Sequence, residues 1–132
     1  MSLNEEERNI IVKLEIDKAK NIFSQIDDLA KLGYWDNIAN PLYYSVFHAV
    51  SALLIHDKHN AGTHKGVAAM FGQYYVKPGV FSPTEGRLYS KLQSIREKSD
   101  YNCTFVAREE DITPMIGYTK VLIEQVERII NS

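Results

Sequence analysis

The sequence predicts an all-α protein, an up-down bundle of four to five helices forming one domain over residues 1–132. Three observations carry this. Apolar residues recur three and four apart through most of the chain. No segment shows sustained period-two alternation bounded by turn residues, the mark of a half-buried strand. The 7 glycines and 4 prolines are spread as punctuation, so connections are short and neighbouring helices should run antiparallel.

The first helix is expected from about Glu5 to Leu32. Asn4 suits its N-cap, and Glu5, Glu6 and Glu7 favour the positive end of the helix dipole. Ile11, Leu14, Ala19, Ile22, Phe23, Ile26 and Leu29 make one apolar stripe, and Gly33 suits the position just past the helix end. Tyr34 to Ala39 reads as a turn or a short helical piece. Asn40-Pro41 then reads as N-cap and first helical residue, because the N–H that proline lacks has no partner there. The second helix follows to about His56; one longer helix kinked at Pro41 is the alternative. Tyr43, Phe47, Val50 and Leu54 share one face, and Tyr44, His48, Ser51 and Ile55 the adjoining one.

Asp57 to Gly62 is a polar loop. Thr63 caps a shorter third helix from His64 to about Tyr75, which Lys77-Pro78-Gly79 breaks. Ser82-Pro83-Thr84-Glu85 is a capping box with proline at the first position. It opens a fourth helix to about Ser99, with Leu88, Leu92 and Ile95 inward. Asp100 to Arg108 reads as irregular. Thr113-Pro114 reads as another N-cap and first residue, opening a last helix to about Ile130 through Ile116, Leu122, Ile123, Val126 and Ile130.

Composition excludes several classes. With 15 basic and 17 acidic residues the formal charge is −2, whereas a whole-surface nucleic-acid binder would be basic. A local basic patch is still compatible with that sum. The single cysteine, Cys103, has no partner for an intrachain disulfide, which fits a reducing compartment. It reads as an ordinary small apolar residue. No apolar run approaches the ~18 residues of a membrane span. The acidic start of the chain is unlike a signal peptide, and Met1-Ser2-Leu3, a candidate expression remnant, carries no weight. A cytoplasmic protein without membrane attachment is expected.

No phosphate-cradling glycine loop, GxSxG, HExxH or Cys/His zinc spacing is present, so neither cofactor nor metal is expected. His56 and His59 are three apart but read as solvated loop residues. Three polar groupings carry more. Tyr44 and His48 lie one turn apart in apolar surroundings, either as a core histidine satisfied by a hydroxyl or carbonyl or as part of a site. Arg96, Asp100 and Tyr101 end the fourth helix. Arg96 and Asp100 can simply pair at i,i+4, but a guanidinium beside Tyr and His also offers phosphate a bidentate fork. Thr63-His64-Lys65-Gly66 opens a helix, where free N–H groups attract anions. With Lys58, His59 and Lys77 it is the one locally basic stretch. A plain charged loop and cap is the alternative there.

Leu42-Tyr43-Tyr44-Ser45-Val46-Phe47-His48-Ala49-Val50, then Leu53-Leu54, Thr63-His64-Lys65-Gly66-Val67, Phe71, Val76-Lys77, Gly79, and Arg96 with Asp100-Tyr101 resemble one branch of the HEPN family. That branch of small bacterial and archaeal proteins reads roughly YYxxFHA, THKG and RxxxDY in this order. The likeness covers about Trp35 to Tyr101. It implies a four- or five-helix bundle, often a homodimer, and in many relatives a minimal nucleotidyltransferase as partner, within modules that include toxin–antitoxin pairs. Catalytic relatives are metal-independent ribonucleases with an R-x(4–6)-H motif, in which Arg grips the scissile phosphate and His moves the proton. Counting from Arg96, the histidine positions are Tyr101, Asn102 and Cys103, and none can shuttle a proton near neutral pH as His does.

The expected function is therefore a non-catalytic nucleotide- or RNA-binding module. Arg96 would hold phosphate, His64 and Lys65 would add positive potential, and Tyr44 or Tyr101 would stack or hydrogen-bond. The expected site is a partly open polar pocket in which Arg96 reaches Tyr44 or His48 beside Asp100 or Tyr101. The rivals are a divergent ribonuclease pairing Arg96 with His48 or His64, and a structural adaptor. The large aromatic supply, 8 Tyr, 5 Phe and 1 Trp, points to an interface and a homodimer.

Overall fold

The structure is a computed structural model that describes residues 3–132; Met1 and Ser2 lie outside them. Six α-helices follow one another: α1 (Glu5–Ser24), α2 (Ile26–Lys31), α3 (Ala39–His56), α4 (His64–Phe71), α5 (Pro83–Tyr101) and α6 (Glu109–Ile130). Among the described residues there is no strand. Because α2 continues α1 across a break at Gln25, the bundle has five helical units.

Each start has a local cause. The Asn4 side chain accepts from the Glu7 amide while Glu7 reaches back to the Asn4 amide, a full capping box. Ser82 and Glu85 repeat the device, with Pro83 at the first position. Thr63 Oγ1 accepts from the Gly66 amide at 2.9 Å. Gly33 and Gly79 adopt positive φ of 74° and 92°, the left-handed turns that end α2 and the segment after α4.

Two proline readings are corrected. Asn40 is not a cap: α3 begins at Ala39, directly out of a short 3₁₀ turn at Trp35–Asn37. Ile38 and Ala39 are fully buried, so packing extends the helix upstream. Pro41 then sits at the third helical position, where an N–H still has no intrahelical partner. Likewise Thr113 is not a cap. α6 starts a turn earlier at Glu109, with Glu109, Glu110 and Asp111 on the dipole and Ile112 fully buried, and Pro114 lies inside the helix. The irregular stretch expected from Asp100 begins later, because α5 runs on through Asp100 and Tyr101.

α3 is the central element, packed on α1, α4, α5 and α6. The Arg8 guanidinium near the start of α1 donates to the Ile55 carbonyl near the end of α3 at 3.2 Å, so the two run antiparallel. The stretch Trp35–His56 has the length and hydropathy of a membrane span, but most of it is buried within the bundle. The stripe expected on α1 is also corrected. Val12, Ile16 and Ala19 face the core, while Leu14 is 63% exposed and Ile10 54%. α1 carries two apolar stripes, and periodicity alone does not say which one meets α3.

After α4 the chain widens into a single π-helical turn, Gly72–Val76, whose closing bond runs from the Lys77 amide to the Gly72 carbonyl at 2.9 Å. This turn carries Tyr75 inward, where its hydroxyl donates to Asp57. The other oxygen of Asp57 lies 2.8 Å from His56 Nδ1, and His59 stacks on Tyr74 with centroids 4.0 Å apart. Neither imidazole is a free loop residue.

Candidate functional site

Tyr43 and Tyr44 are neighbours on α3, and Arg96 reaches both from the last third of α5. Arg96 Nη2 donates to the Tyr44 hydroxyl at 3.2 Å. The guanidinium carbon lies 5.2 Å from the Tyr43 ring centroid and 5.3 Å from that of Tyr44, both within cation–π range. Asp100 Oδ2 is 3.5 Å from Nε, yet Nε is buried without a hydrogen bond of good geometry. The Arg96 side chain is 21% exposed. The group is thus a cation fixed by two rings and one carboxylate, with donor capacity left over for an anion.

His64, the first residue of α4, joins this cluster. Its Nδ1 is 2.9 Å from the Tyr43 hydroxyl, and its ring stacks on Phe47 with centroids 4.1 Å apart. The Tyr44 ring meets it edge-on at 5.8 Å. Burial against these rings lowers the His64 pKa below the usual 6.5, and the positive charge of Arg96 adds to the effect. Burial raises the Tyr43 phenol above its ordinary value, with Tyr89 and Arg96 opposing. The cluster therefore presents neutral aromatic groups around one permanent cation.

His48 turns elsewhere. Its Nδ1 lies 2.8 Å from Glu15 Oε2 on α1, so its partner is a carboxylate rather than a hydroxyl or a carbonyl. Lys65 is exposed in the first turn of α4. Tyr101 is 82% exposed at the end of α5 and stands apart from the cluster. Cys103 is exposed. The structure thus gathers Arg96, Tyr44 and His64, sets Asp100 at their edge, and leaves His48, Lys65 and Tyr101 outside.

The expected single pocket is corrected. Two cavities flank the cluster, and Arg96 lines neither. One, of about 440 Å³, lies between α1, α3 and the start of α4 and includes Glu15, Ser51 and His64. The other, of about 400 Å³, lies at the α5 end and includes Asp36, Asn40, Ser99 and Asp100. The Arg96 guanidinium instead packs between the Tyr43 and Tyr44 rings, 5.2 and 5.3 Å from their centroids. Among the described residues no three His, Cys, Asp or Glu side chains converge as metal ligands.

Two residues of the site escape sequence reasoning. Tyr43 reads as plain core and is 1% exposed, yet its hydroxyl fixes His64. Glu15 is the half-buried carboxylate three residues after Val12, on the shoulder of the buried stripe. That position is the one signal of its role.

The comparisons with known proteins agree with this architecture. Two proteins of Methanocaldococcus jannaschii, each named a putative toxin, are similar to the chain. One is 33% identical over 72% of this chain and 69% of its own length. The other is 22% identical over 89% and 80%. A "UPF0332 protein" of Thermotoga maritima is 27% identical over 97% of this chain and 96% of its own. The HEPN domain model matches residues 12–129, from the first buried valine of α1 to the last turn of α6. With its helical bundle, its ordered motifs and a match over nearly its whole length, the chain belongs to the HEPN family.

Proposed function

We propose that this HEPN module binds the phosphate of a nucleotide or an RNA through Arg96, as one component of a toxin–antitoxin-type pair in the cytoplasm. The observation that carries the phosphate reading is the fixed guanidinium: Tyr44 and the two ring faces orient it while part of its donor set stays unused. The relatives whose names carry the word toxin support the pair. A minimal nucleotidyltransferase is the partner that the family resemblance implies. Salt-dependent binding of single-stranded RNA tests the site. We expect Arg96→Ala to weaken it at least tenfold with unchanged circular dichroism. Equal binding by both forms overturns the site, and no binding by either leaves a structural adaptor.

A second reading has one specific support. His64 stands in the Arg96 cluster, so a histidine outside the usual spacing is available to a divergent ribonuclease. RNA cleavage in EDTA, lost in His64→Ala, would establish it.

We also propose a homodimer through the outward face of α1. Ile10 and Leu14 are exposed one turn apart. Glu5, Glu6 and Glu7 precede them and Lys13, Lys18 and Lys20 accompany and follow them. An antiparallel second copy would set each acidic turn against the other's lysines. Light scattering at micromolar concentration should give twice the chain mass, falling to the monomer in Leu14→Glu. A monomeric wild type overturns the dimer.

A further inference from the structure

Arg96 does not line the cavity of about 440 Å³ between α1, α3 and the start of α4, and the lining of that cavity is distinctive. Its size is that of a small-ligand site. Ile11, Leu54 and Val67 give it an apolar lining, and Phe47 and His64 enter as a stacked pair. No lysine or arginine lines it. The one carboxylate is Glu15. His48 Nδ1 donates to Oε2 of that group at 2.8 Å and so fixes its orientation. Oε1 has no hydrogen-bond partner among the described residues, and a carboxylate is an acceptor only. Ser51, Asn60 and Thr63 also line the cavity, but each can both donate and accept. The oriented carboxylate alone demands donors, and it favours a planar heterocycle that offers N–H donors side by side.

Among nucleobases that pattern is distinctive. Guanine presents its ring N1–H beside its exocyclic amino group, two parallel donors that match the two oxygens of a carboxylate. Adenine and cytosine set an amino group beside a ring acceptor, which the carboxylate repels. Uracil offers one N–H between two carbonyls. His64 joins the cavity to the phosphate contact, because it lines the first and packs in the Arg96 cluster.

We propose that this cavity is a base subsite that prefers guanine, with Glu15 reading the base and His48 as the positioning residue that aims it. The proposal rests on the reading of Arg96 as the phosphate contact and adds the identity of the base. The test is calorimetric binding of the 5′-monophosphates of guanosine, inosine and adenosine to the whole chain. We expect guanosine to bind about tenfold more tightly than adenosine, with inosine, which lacks the amino group, between them. Glu15→Gln keeps an acceptor for His48 but replaces one carboxylate oxygen with a donor. It should bring the three ligands within about twofold of one another. Arg96→Ala should weaken all three equally. Equal binding of the three by wild type, or an unchanged ratio in Glu15→Gln, overturns the base subsite and leaves the phosphate contact standing. Binding of RNA without binding of any monophosphate does the same. Failure of RNA and monophosphates alike overturns both.

Discussion

Helix α3 carries two stripes on opposite sides of its axis. Leu42, Val46, Ala49 and Leu53 form one, at spacings of four, three and four, and each is no more than 1% exposed. Tyr44, Phe47, His48 and Ser51 form the other, and all four are half-buried. The first stripe carries no side-chain polar atom and so asks nothing of its neighbours but shape. The second meets Arg96, His64 and Glu15 and borders the larger cavity. One helix thus supplies cohesion on one side and chemistry on the other. The chemical side keeps its polar atoms by remaining partly open to water.

The largest expected effect tests that division. Leu53→Ala, on the closed stripe, should cost about 2–5 kcal/mol of stability, because it leaves a cavity in a packed core. Its nucleotide affinity per folded molecule should be unchanged. Tyr44→Phe, on the open stripe, removes only a hydroxyl hydrogen bond and should cost about 0.5–1.5 kcal/mol, while weakening phosphate binding. Denaturant unfolding of both variants measures the ranking, and a reversed order breaks the comparison.

A smaller effect sharpens it. His64 has a pKa held below 6.5, so its neutral form contributes stability that is present above the unfolded pKa and lost as pH falls through the folded one. An anion seated at Arg96 would oppose that depression. NMR titration should therefore show the His64 pKa rising on addition of inorganic phosphate, with tighter phosphate binding as pH falls from 7 towards 6. Arg96→Ala should raise the same pKa without ligand, because it removes a depressing charge. A value unmoved by either change separates the imidazole from the guanidinium.

Much of the bundle is legible in the chain. The capping residues Asn4, Thr63 and Ser82 and the turn glycines Gly33 and Gly79 announce their positions through local chemistry. Asn40-Pro41 misleads because proline suits any position of a first turn, whereas Pro114 lies inside α6 and gives up a ladder bond there; burial of Ala39 and of Ile112 decides the two starts instead. Leu14 misleads because a helix with two apolar stripes has two equivalent solutions until a neighbour chooses one. In the site, the proximity of Arg96 to Tyr44 follows from antiparallel packing of α5 on α3. The role of Glu15 does not, since a half-buried carboxylate looks the same in sequence as one on the solvent face of the same helix. Its meaning comes from His48, 33 residues away.

The π-helical turn at Gly72–Val76 has a consequence for how this chain can vary in length. Its wide turn holds one residue more than the α-helical ladder would accept. Removing any one residue between Phe71 and Lys77 would restore the ordinary ladder and rotate the downstream chain by about 100°. Tyr75 would then leave Asp57, and Phe81, which is fully buried behind it, would lose its register. The segment should accept exchanges of side chain at its exposed positions, such as Gln73, more readily than a single deletion, so its length is the inherited quantity.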